Sequence, residues 1–190
     1  MADRDMIQER GRSLEDDYFR KKDKELVEKI QRAAEAERAR ADVGRAVGLN
    51  DPALAQELLD LGFTAETVAL LPIVPVLQMA WAEGGISPEE RALIVRFARS
   101  RGIDEGSAAD RQLTTWMTAR PSEDVFARAG RLIRAMLDSG SDAGLKADDL
   151  VAYCEKIAAA SGGVFGIGRI SAEERKLLSG LAADLKGRQA

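Results

Sequence analysis

From residue 2 to about 45 the chain is dominated by charged side chains, carries no proline, and has Gly11 as the single glycine before Gly44. Ile7, Leu14, Tyr18, Phe19, Leu26, Val27 and Ile30 recur within it at spacings of three, four or seven. That periodicity predicts one long helix with a narrow apolar stripe. So thin a stripe cannot build a core alone, and it requires a domain to lie on, a second copy to pair with, or a partner.

The composition changes at Gly44, Gly48 and Asn50-Asp51-Pro52, which are expected to stop the helix. The chain therefore divides into a charged arm over residues 1–47 and a domain over 48–190. Asp51 followed by Pro52 reads as a helix start, with a carboxylate to cap free amides and a proline where a donor would go unpaired anyway. A short leucine-rich helix follows and ends at Gly62. Thr64 is expected to cap a helix through Leu71, which Pro72 and Pro75 divide from the next helix over 73–83. The apolar stretch 68–82 is too short and too interrupted to span a bilayer, and reads as buried core.

A strong restart follows Gly84-Gly85. In Ile86-Ser87-Pro88-Glu89-Glu90-Arg91, Ser87 is placed as cap, Pro88 as first helical residue and Glu90 as the capping-box partner. Further helices are expected over 104–119, 122–137 and 147–161, and no alternating strand pattern occurs. The run Ile170-Ser171-Ala172-Glu173-Glu174-Arg175 then repeats the restart. Two related helix-loop-helix units about a pseudo-twofold axis are expected from that repeat, within an all-α fold, with a chance match of two capping boxes as the alternative.

The chemistry classes narrow quickly. There is no histidine, the residue most used for proton transfer near neutral pH. Cys154 is the single cysteine and lies in an apolar stretch, so it reads as core. The 28 basic and 32 acidic side chains leave a net charge of −4, unlike the basic excess of a nucleic-acid binder. The charged start Met1-Ala2-Asp3-Arg4-Asp5 has no apolar run behind it, so no signal peptide is expected and the cytoplasm is the expected location. Glu83, Glu89 and Glu90 are weak candidates for oxygen ligands to a divalent cation, because the alternating acidic positions of a calcium loop are missing. Helix capping accounts for them. Residues 161–169 are glycine-rich without a P-loop ending and read as a packed connector. Neither an enzyme nor a cofactor-binding protein is expected.

The run Ala80-Trp81-Ala82-Glu83-Gly84-Gly85-Ile86-Ser87-Pro88-Glu89-Glu90, with its second copy over 159–178, resembles the signature of the tellurite-resistance TerB-like domains. The resemblance spans about residues 49–185 and implies a compact bundle of helices. Glu83 stands where the family usually has Asp. A second resemblance lies in the arm. Arg12-Ser13-Leu14-Glu15-Asp16-Asp17-Tyr18-Phe19-Arg20, with Lys24 and Leu26 following, is similar to the inhibitory segment of F-type ATP synthase inhibitor proteins. It implies that Glu15 and Asp16 meet basic groups on the soluble head of the synthase, that Tyr18 and Phe19 anchor in apolar pockets, and that Arg20 and Lys24 pair with acids. Arg12, Leu14 and Leu26 complete the partner-binding set. The chain departs from the animal inhibitors in lacking histidine and in continuing into a domain. The function expected is that of a regulatory binding protein. The alternative is a TerB-type stress-response or envelope-associated scaffold whose arm is an oligomerising coiled coil, which leaves a homodimer open.

Overall fold

A computed structural model describes residues 2–138, 146–161 and 172–186, with side chains from Tyr18 onward except those of Ser161 and Lys186. Among the described residues every regular element is helical. The order is α1 (Ala2–Val47), α2 (Pro52–Asp60), a 3-10 helix (Val68–Ile73), α3 (Val74–Ala80), α4 (Pro88–Ser100), α5 (Ala108–Thr118), α6 (Glu123–Asp138), α7 (Ala147–Ser161) and α8 (Ala172–Lys186). None of these helices is long and apolar enough to cross a membrane.

The chain divides into two compact units, Met1–Ala39 and Arg40–Ala190. The division falls inside α1, whose last turns place Val43 and Val47 in the core of the second unit. Gly44 does not stop α1, as its sequence position suggests. A Cβ there would stand 3.0 Å from the Leu49 carbonyl oxygen, so glycine lets the chain fold back closely without displacing that carbonyl.

Helices α1, α2 and α4 end in the same way. After each comes a glycine with positive φ (Gly48, Gly62, Gly102) and then an apolar residue turned into the core (Leu49, Phe63, Ile103). The amide of that apolar residue reaches the carbonyl five residues back: Leu49 to Gly44 at 2.8 Å, Phe63 to Leu58 at 3.0 Å, Ile103 to Ala98 at 3.1 Å. This is the Schellman arrangement, which pairs otherwise orphaned carbonyls and buries a side chain in the same step.

The starts are as specific. The Asp51 carboxylate accepts the Ala53 amide at 2.8 Å. At α4 both halves of the capping box form, with Ser87 Oγ accepting from Glu90 N at 3.2 Å and Glu90 Oε2 accepting from Ser87 N at 2.7 Å. The helix expected from Asp104 begins instead at Ala108, because Ser107 caps it through the Asp110 amide at 3.1 Å. Thr64 does not start a helix; its amide donates to Thr67 Oγ at 2.9 Å in a turn that leads into the 3-10 helix. Pro72 sits inside that element. Ser171 and the connector 162–171 lie outside the described residues, so the second capping box does too.

In the second unit α3 is central, packing on the 3-10 helix, α4, α6, α7 and α8. Every residue of α3 except Gln78 is buried, as expected of a helix that is apolar all round. Polar groups close the neighbouring ends. Trp81 Nε1 donates to the Trp116 carbonyl at 2.9 Å and Arg91 to the Met117 carbonyl at 3.0 Å, satisfying the last turn of α5. Arg99 spans the Ile103 carbonyl and the Asp110 carboxylate, both at 2.7 Å, and so ties α4 to α5. The Gly106 amide hydrogen bond, with Arg99 beside it, holds the Asp110 carboxyl below its usual range.

Candidate functional site

The first unit is helical because its local terms all agree. Ala, Glu, Lys and Arg are strong helix formers, and pairs one turn apart support them. Lys22 Nζ lies 3.2 Å from Glu25 Oε2, and Arg32 lies 3.5 Å from Glu28. With no tertiary packing needed to hold the backbone, the apolar side chains are free to face outward.

They do face outward. Tyr18 is 58% exposed, Phe19 61%, Leu26 56%, Val27 51% and Ile30 60%, and these are the exposed large hydrophobic side chains of the described residues. All five belong to α1. Phe19, Leu26 and Ile30, seven and four apart, share one helix face, with Tyr18 and Val27 at its two margins. The aromatic rings meet edge to face with centroids 5.8 Å apart, and Lys22 Nζ stands 5.9 Å from the Tyr18 centroid. Each ring is thereby oriented by a neighbour while its outer face remains in solvent.

Of the residues singled out from sequence, Tyr18, Phe19, Arg20, Lys24 and Leu26 are all exposed on α1. Phe19 and Leu26 fall together on the apolar face. The side chains of Arg12, Leu14, Glu15 and Asp16 lie outside the described residues. Val27 and Ile30 were absent from that set although their exposure matches its members. The three-and-four spacing contains them, while the aromatic motif ends before them.

The acidic candidates differ in their surroundings. Glu83 and Glu89 are exposed while Glu90 is buried at 2% exposure and engaged in the capping box. Among the described residues no group of three or more acidic or cysteine side chains is arranged to hold a metal ion. Burial pushes the Glu90 carboxyl above its ordinary value of 4.5, against the lowering effect of the Ser87 hydrogen bonds, and the charges of Glu174 and Glu83 add to the rise. Glu174 occupies the equivalent place in the second restart and is equally buried, at 1%. Cys154 is fully buried, and desolvation raises its thiol to about 12, so it is not a nucleophile in the folded chain.

No family model, no curated protein and no solved structure matches this chain.

Proposed function

We propose that the chain is a non-catalytic regulatory protein whose N-terminal helix docks on a larger complex, with the soluble head of an F-type ATP synthase as the partner and slower ATP hydrolysis as the outcome. The supporting observation is the concentration of exposed large hydrophobic side chains on one helical segment, Tyr18 to Ile30 in number order, with none on the second unit among the described residues. Contiguous exposed apolar surface of that kind marks interaction sites. Amphipathic helices commonly enter partner grooves on anchors spaced in this way.

Tyr18 and Phe19 are the anchors in this proposal, and Leu26, Val27 and Ile30 extend the apolar face. Arg12, Leu14, Glu15, Asp16, Arg20 and Lys24 supply the flanking contacts implied by the inhibitor resemblance. Docking takes place in the cytoplasm and uses no cofactor. The test is hydrolysis of ATP by the soluble head of the same organism's synthase, with the full chain at micromolar excess. Inhibition is expected, and Tyr18→Ala/Phe19→Ala weakens it at least tenfold, since truncation of aromatic hot spots costs on the order of 2 kcal/mol or more. Undiminished hydrolysis in the presence of the wild-type chain refutes the proposal.

The seven-and-four spacing of Phe19, Leu26 and Ile30 favours a second reading, a coiled-coil seam in a TerB-type scaffold. Sedimentation of the full chain beside Leu26→Lys/Ile30→Lys separates the two. A dimer that falls to monomer supports the scaffold; a monomer in both supports docking on a foreign partner.

A further inference from the structure

A groove of about 380 Å³ opens on the second unit between α6 and α8, over Gln78 of α3. Its floor is buried Phe126 and Leu181 with half-buried Leu177. Gln78, the one residue of α3 that is not buried, offers its carboxamide there. The volume falls in the range of pockets built to take a ligand or a partner's side chains.

Two glycines line it, Gly130 on α6 and Gly180 on α8. Both are interior to helices, where glycine is less stable than alanine. Neither has positive φ, and a Cβ built on either meets nothing within 4 Å. Among the described residues, neither backbone conformation nor packing requires them. What they do is keep both walls of the groove low, so that another backbone can approach closely.

The charge pattern selects the occupant. Glu173, Leu177, Gly180 and Asp184 follow one another along a single face of α8, with a carboxylate at each end and the apolar stretch between. The two acids stand about 16 Å apart along the helix axis, three turns. Lys176 lies to one side and offsets part of that charge.

We infer that the α6–α8 groove is a second protein-docking site, which takes an apolar-faced helix of a partner carrying basic residues at both ends of a three-turn stretch. The groove is lined by residues of the second unit alone. The partner helix seats its apolar face on Phe126, Leu177 and Leu181, passes over the two glycines, and meets Glu173 and Asp184 with its basic ends.

The probe is a fluorescent synthetic peptide of about 20 residues, long enough to hold a helix, with a Leu/Ala face and lysines at both ends of that face. A twin peptide has glutamates in place of the lysines. Anisotropy with the full chain is expected to give a Kd below about 100 µM for the lysine peptide and at least tenfold weaker binding for its twin. Gly180→Leu fills the groove and weakens the lysine peptide at least tenfold. Glu173→Gln/Asp184→Asn removes the discrimination between the peptides without touching the core. Gly130→Ala/Gly180→Ala raises Tm by several degrees while weakening binding, as expected of glycines kept for function. Tyr18→Ala/Phe19→Ala leaves all of this unchanged. The inference is overturned if no lysine peptide binds up to about 1 mM, if both peptides bind alike, or if Gly180→Leu, folded by circular dichroism, binds as the wild type does.

Discussion

Leu26 and Leu77 are the same residue on two helices of one chain, yet Leu26 is 56% exposed and Leu77 is fully buried. The helices that carry them form for opposite reasons. Helix α1 is rich in strong helix formers and in charge pairs one turn apart, so it needs no neighbour to set its backbone. Helix α3 has seven residues, two of them β-branched and one a proline, and would not form alone. It is helical because five elements pack around it and bury it. One unit thus has helix without core, and the other has helix because of core. Among the described residues, only the first leaves large apolar side chains more than half exposed; the second offers its apolar atoms as the floor of a groove.

The sharpest way to break that contrast is to truncate each leucine. Leu77→Ala leaves a cavity at the centre of the bundle and is expected to cost roughly 2–5 kcal/mol, lowering Tm by about 5–15 °C. Leu26→Ala removes the same atoms from an exposed surface and is expected to change stability by no more than about 0.5 kcal/mol, while still impairing docking by the arm. Paired thermal melts decide it. A large loss for Leu26→Ala means that its side chain is packed in solution, which contradicts an arm held open for a partner.

A smaller effect tests the buried charge that α4 accepts for its cap. Glu90 has a raised pKa in the folded chain, so between 4.5 and that raised value the native state binds more protons than the unfolded state. Its contribution is therefore fully present below 4.5 and is lost as pH rises through the folded pKa. Glu90→Gln keeps an acceptor for the Ser87 amide and removes the titration. The stability difference, variant minus wild type, is expected to grow with pH and then level off, measured by urea unfolding between about pH 4 and pH 8. A flat difference means that Glu90 is solvated in the native state and that burial does not govern it.

Glu90 also marks where sequence reasoning stopped. Ser87, Pro88 and Glu90 specify a helix start by local chemistry, and the capping box forms as expected. That the same carboxyl would be buried, with Glu174 buried at the equivalent position of the other restart, depends on how distant helices meet. No local pattern carries that. The misplaced start of α5 was legible in principle, since Ser107 with Asp110 three residues on is itself a capping signal after Gly106. The 3-10 helix was not, because Thr64 and Thr67 are equally good caps and only the turn between them decides. In the arm Tyr18, Phe19, Leu26, Val27 and Ile30 of the stripe are exposed on α1, while the side chains of Ile7 and Leu14 lie outside the described residues. The groove is not legible in the sequence, because Gly130 and Gly180 look like weak helix formers until their surroundings show that nothing among the described residues needs them.

The smallest effect bears on whether the arm is helical by its own local terms. Lys22 and Glu25 are each more than half exposed, and basic before acidic is the less favourable order along a helix. Glu25→Gln is therefore expected to cost about 0.2–0.5 kcal/mol, seen as a slight loss of far-UV helical signal at low salt that disappears as salt is raised. The Tm of the second unit is expected to stay unchanged. The Glu28 and Arg32 pair, one turn further on, still supports the segment. A broad loss of helix from this one substitution would show that propensity alone does not hold α1, and that the arm folds only against a partner. In that case the exposed stripe describes the bound form, and every docking affinity includes the cost of ordering the helix.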